Sequence, residues 1–186
     1  MKDIRVPRKE IGKFCGALHR LGLHPIMVSR EGSWWFGHRD RISISDSPIH
    51  WAEVTYNFDP IDDFGLGDEW IYWVEYGVPD PHVRPGFPKF RLRHKSVRSS
   101  IFGRATGFRW EGPEELGIKK RLNQDVSICE VLTMAGTIIR ARPKKGCWTI
   151  HPVGLQGPLH GPNESVWAMY ESIVKHLLAA VNTSAR

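Results

Sequence analysis

Seven of the eight tryptophans, Trp34, Trp35, Trp51, Trp70, Trp73, Trp110 and Trp148, fall in stretches that read as strands; the eighth, Trp167, sits in a segment of helical period. A period of two marks a strand with one face turned in and one turned out. Large aromatic side chains suit such a surface, because a pleated, half-buried sheet gives a flat ring neighbours on both sides. A chain with this many indoles on strand-like segments is constrained to an aromatic sheet. At 186 residues, with 41% hydrophobic and 25% charged residues, it has the size and composition of one folded domain spanning 1–186.

Around the strands the sequence punctuates itself. Ile11, Phe14, Cys15, Leu18 and Leu21 recur at helical spacing, between Pro7 and Gly22, and predict a first helix over 7–21. Short strands are expected at 26–29, 34–37 and 42–45, with a turn at Glu31-Gly32-Ser33, then at 49–58 and 70–76. The 70–76 segment is apolar on both faces apart from Glu75, which suits a central strand. A proline-rich loop over 77–88 follows, and strands are expected again at 89–95 and 101–111. Pro113-Glu114-Glu115 opens a helical region that reaches about Ala135, with Gly117 as a possible break. Strands at 138–142 and 147–153 read as a hairpin around Pro143-Lys144-Lys145-Gly146. After a second Gly/Pro-rich loop, Asn163 reads as the N-cap of a last amphipathic helix carrying Val166, Tyr170, Ile173, Val174 and Leu177. Helix, strands, helical region, two strands, helix is an α+β order on a mostly antiparallel sheet.

Charge is unevenly distributed. Net charge is +6, but residues 46–83 hold nine Asp/Glu and no Lys/Arg, whereas 84–110 hold eight Lys/Arg and no Asp/Glu. An acidic block abuts a basic one. In the basic block Arg91, Arg93, Lys95, Arg98 and Arg104 interleave with aromatics, and Phe90 and Trp110 are candidates to stack on bases if exposed. This composition fits phosphate contact with a polyanion, DNA or RNA, by a non-enzymatic binding protein. The competing reading is internal: Glu53, Asp59 and Glu75 on neighbouring strands would neutralise the cations by cross-strand pairing.

Other features point elsewhere. Cys147 and His151 share one strand face and His160 follows in the next loop, so they are the polar groups of an alternative small-molecule or enzymatic pocket between the C-terminal helix and the sheet. The Pro/Gly loops and surface tryptophans suit a third alternative, contact with another protein. Asp59, Asp62, Asp63, Asp68 and Glu69 form a carboxylate cluster that reads as turn chemistry or as acid/base groups. His19 and His24 flank the end of the first helix without a clear partner. CxxC, HExxH, phosphate-loop, nucleophile-elbow and dinucleotide signatures are absent, so no cofactor or metal is expected. Three widely spaced cysteines and a charged, non-apolar Met1–Lys9 segment predict a protein of a reducing, cytoplasmic compartment with no signal peptide and no membrane partner.

Overall fold

The computed structural model describes residues 8–33, 37–59, 69–83, 92–98, 105–112, 117–135, 138–144, 146–153, 159 and 161–182. Along the chain these form α1 (Arg8–Arg20), β1 (His24–Ser33), β2 (Gly37–Ser45), β3 (Trp51–Asp59), β4 (Glu69–Pro79), β5 (Leu92–Arg98) and β6 (Ala105–Glu111). There follow α2 (Ile118–Gln124), α3 (Val126–Ala135), β7 (Ile138–Lys144), β8 (Cys147–Val153) and α4 (Glu164–Asn182). The strands make one sheet in the order β1-β2-β3-β4-β8-β7-β5-β6, with every pairing antiparallel. The fold is α+β, as its order of elements predicts.

Helix α1 buries Ile11, Phe14 and Leu18. It stops where Gly22 takes φ +77°, so that Leu23 N–H reaches the Leu18 carbonyl (3.2 Å) and Gly22 N–H the His19 carbonyl (2.9 Å). That closing pattern needs a residue at ease with positive φ, which glycine is. Helix α4 opens on the expected cap, Asn163 Oδ1 accepting from Val166 N–H at 2.9 Å. Its inner face carries Trp167 and Tyr170 onto Tyr76 of β4, with ring centroids 5.8 and 5.0 Å apart. Phe14 of α1 stacks on the same tyrosine at 6.5 Å. Strand pleating then assigns the rest of that face: Ala52, Val54, Tyr56, Tyr72, Val74, Trp148, Ile150, Ile139 and Ala141 are all buried in one core.

Several local expectations are corrected. Glu31-Gly32-Ser33 is not a turn: it completes β1 and pairs with Arg39, His38 and Gly37 of β2. That end of the hairpin is polar on both faces, so its strands are held by backbone pairing that leaves no hydrophobic alternation to read. Gly77 to Pro79 belong to β4 and not to the following loop. The middle helical region does divide, but at Asp125 between α2 and α3; Gly117, at φ +66°, is the residue preceding α2. Trp34, Trp35 and residues 113–116 lie outside the described residues.

Asp125 is the joint of the helical layer. Its Oδ1 accepts from Ser127 N–H (3.1 Å) and the Ser127 hydroxyl (2.5 Å), capping α3. Its Oδ2 accepts from the Ser172 hydroxyl (2.7 Å) and from His176 Nε2 (2.8 Å), both on α4. Serine, histidine and aspartate therefore meet, but serine donates to the carboxylate and not to the imidazole, so no nucleophile is activated. The arrangement is a clip between two helices. Burial opposes ionisation of this carboxyl, yet the hydrogen bonds outweigh it and hold it well below the usual range. A lowered folded-state pKa stabilises the fold above the unfolded value, about 3.9, and the stabilisation is lost as pH falls through the folded value. Asp125→Ala is expected to cost ~1–2 kcal/mol at neutral pH, the range for losing a helix cap. The difference from the parent protein should shrink on acidification, as read by urea melts across pH.

Candidate functional site

The helices α1 and α4 cover one face of the sheet; the alternate residues of each strand form the other, open face. On it lie Arg39 and Arg41 of β2, Trp51 and Glu53 of β3, Trp73 and Glu75 of β4, Cys147, Thr149 and His151 of β8, and Arg140, Arg142 and Lys144 of β7. The assignment follows because their chain neighbours, Asp40, Ile42, Ala52, Val74, Trp148, Ile150, Ile139 and Ala141, are buried on the helix side. Trp51 lies across Gly77 in register on β4, where any Cβ would collide with the indole. The Arg41 guanidinium sits over the same ring, 4.9 Å from its centroid, in a cation–π contact. Trp51 thus occupies the polar face that strand alternation assigns to it.

Strand order separates the acidic and basic blocks. The four strands β1 to β4 carry three arginines against six carboxylates. The other four, β8, β7, β5 and β6, carry seven Lys/Arg against one carboxylate, Glu111. Because β8 and β7 lie between β4 and β5, Glu53, Asp59 and Glu75 are not neighbours of the basic strand. Cross-strand neutralisation of Arg93, Lys95 and Arg98 by the acidic block is excluded by this order. Glu75 instead accepts from Arg142 (3.0 Å) and Lys144 (2.7 Å) of β7. Burial pushes its carboxyl up, but those two cations bring it below its ordinary value. Glu53 faces Arg39 at 3.4 Å, and Arg109 faces Glu111 at 3.6 Å on the same strand.

The sequence-derived candidates divide accordingly. Arg93, Lys95 and Arg98 are on β5, where Arg93 pairs in register with Arg140 on one side and Glu111 on the other. Phe90, Arg91 and Arg104 lie outside the described residues. Trp110 is corrected: it is 1% exposed, in the core, so it cannot stack on a base. The rings of Tyr76, Trp167 and Tyr170 pack on one another between α4 and the sheet, and Cys147 and His151 lie on the opposite face of β8. Cys147 and His151 are therefore not part of a pocket under α4 among the described residues, and His160 lies outside them. Periodicity alone could not choose which face of β8 the helix would cover. A groove of about 560 Å3 occurs elsewhere, on the outer side of α1, between Lys9, Lys13 and Arg20 and the segment at Leu159 and Gly161.

On the open face Cys147 Sγ donates to the Lys144 carbonyl (2.8 Å), and burial pushes its thiol pKa up, which disfavours the reactive thiolate. His151 Nδ1 bonds the Val74 carbonyl at 3.0 Å. A carbonyl only accepts, so Nδ1 carries the proton and Nε2 the lone pair of the neutral ring. Of the acidic loop cluster, Asp59 and Glu69 pair in register at the mouth of the β3–β4 hairpin, and Asp62, Asp63 and Asp68 lie outside the described residues. His24 pairs with Asp46 at 2.7 Å, both exposed. Among the described residues no three His, Cys, Asp or Glu side chains gather as a metal site, and no helix is long and apolar enough to cross a membrane. Against protein-family models, curated proteins and solved structures, the chain finds no match.

Proposed function

We propose that the protein binds the phosphate backbone of a nucleic acid on the cationic half of the open sheet face, formed by β8, β7, β5 and β6. The observation that supports this most is the strand order, which sets β5 beside β7 so that two basic strands adjoin each other rather than the acidic ones. Arg142 and Lys144 are held by Glu75 and Arg109 faces Glu111, but seven Lys/Arg against these two carboxylates still give a net positive field that attracts a polyanion. Contact is with phosphates more than bases, because Trp110 belongs to the core and the exposed tryptophan of this face, Trp73, is on the acidic half. Binding of this kind is independent of sequence and strongly dependent on salt. The three cysteines form no disulfide with one another, which suits a reducing, cytoplasmic location for this activity.

Filter binding of single- and double-stranded DNA and RNA across a salt series tests the proposal. The logarithm of the association constant is expected to fall linearly with the logarithm of salt concentration. Replacing Arg93 and Lys95 together with glutamine is expected to flatten that slope by about 2, one for each lost phosphate contact. A slope of zero, or a slope indifferent to the double replacement, would end this reading.

A further inference from the structure

Arg140 occupies an unusual place on the open face. The other described basic side chains of β7 and β2 on that face have partners: Arg142 and Lys144 hold Glu75, Arg39 faces Glu53 and Arg41 lies on Trp51. Arg140 Nε is buried and has no hydrogen-bond acceptor among the described residues. A buried guanidinium N–H left without an acceptor is costly, and an anion able to accept from it removes that cost. Register places Arg140 directly between His151 of β8 and Arg93 of β5. Three basic residues thus occupy one register row across three adjacent strands, at neighbouring-strand spacings of about 5 Å.

We propose that Arg140 and His151 form a seat for one phosphodiester of the bound strand. This rests on the preceding reading of the face and specifies its best-built position. Arg140 donates through its guanidinium, and His151 donates through Nε2 once that nitrogen is protonated, since Nδ1 is already committed to Val74. The groups facing His151 are Glu75 on β4 and Arg140 and Arg142 on β7. Burial lowers the imidazole pKa, the two arginines lower it further, and the Val74 bond and Glu75 act against them. A seated phosphodiester adds negative charge beside the ring and favours its protonated form. Binding is therefore coupled to proton uptake, and affinity rises as pH falls through the His151 titration.

The test uses a short oligothymidylate and, separately, dimethyl phosphate, with the His151 ring protons followed by NMR. For the oligonucleotide, Arg140→Gln is expected to weaken binding about tenfold and Arg140→Lys to restore much of it, neither variant melting below wild type because each removes the unsatisfied Nε–H. His151→Asn can keep the bond to Val74, and it is expected to abolish the pH dependence while sparing binding at high pH. Oligonucleotide binding unaffected by Arg140→Gln, or a pH profile that survives His151→Asn, overturns the seat while leaving nucleic-acid binding by the face intact. If wild-type protein binds no oligonucleotide at low salt, the wider reading falls. The seat then stands only if dimethyl phosphate shifts the His151 resonances in wild-type but not in Arg140→Gln protein, and falls if it does not.

Discussion

Arg30→Ala is expected to lower the unfolding free energy by about 3–5 kcal/mol, among the largest effects of any single substitution in this protein. Asp40 on β2 is fully buried, and Arg30 on β1 satisfies both its oxygens, Nε to Oδ1 at 2.7 Å and Nη2 to Oδ2 at 2.6 Å. Bidentate geometry of this kind is the strong form of an ion pair. Without the guanidinium, the buried carboxylate keeps, among the described residues, the Tyr56 hydroxyl at 3.4 Å and no cation. The double variant Arg30→Ala/Asp40→Leu removes both charges and is expected to be more stable than Arg30→Ala alone, because the cost lies in the orphaned charge and not in the lost attraction. Urea melts measure both. Tyr56 is a second reporter: burial and then Asp40 push its phenol up to about 12, while Arg30 acts against them. Loss of Arg30 should move its spectrophotometric titration higher still. A cost below about 1 kcal/mol would show that water reaches Asp40.

The same network illustrates what could be read from the residues. Ile11, Phe14 and Leu18, or Val166, Tyr170 and Leu177, announce their helices because one stripe of each is apolar and the caps are standard. The alternation of Ala52, Val54 and Tyr56 announces β3 for the same reason. Asp40 gives no such signal, since a buried aspartate has the composition of an exposed one until its partner ten residues away is placed. Strand order was equally hidden. Antiparallel hairpins follow from local turns, but the insertion of β8 and β7 between β4 and β5 depends on contacts more than fifty residues apart in sequence, such as Tyr76 with Ile150. That one step decides the site. The acidic and basic blocks are neighbours in the chain, which suggests mutual neutralisation, yet two strands separate them in the sheet, so Glu75 takes its cations from β7 and not from the basic block.

Trp110 shows how the same ambiguity acts on a single residue, and its substitution distinguishes core from contact. A tryptophan within a basic, aromatic run has the composition of a base-stacking residue, but β6 turns it inward, 1% exposed, against the helical layer. Its backbone is held there by Asn123 of α2, whose Oδ1 accepts from Trp110 N–H at 2.7 Å and whose Nδ2 donates to the Trp110 carbonyl at 3.2 Å. The asparagine amide thus occupies the bonding groups of an edge strand as a ninth strand would. Trp110→Ala is expected to destabilise the protein by about 3–5 kcal/mol, the range for emptying a large aromatic site in a packed core. Trp110→Phe keeps part of the volume and should stay folded. For a stacking residue, loss of the indole would weaken oligonucleotide binding by about 1–3 kcal/mol per base; for a core residue, Trp110→Phe should melt earlier yet bind within about twofold of wild type. Paired thermal melts and filter binding on this one variant separate the two, because only a residue on the open face can lower affinity without first loosening the fold.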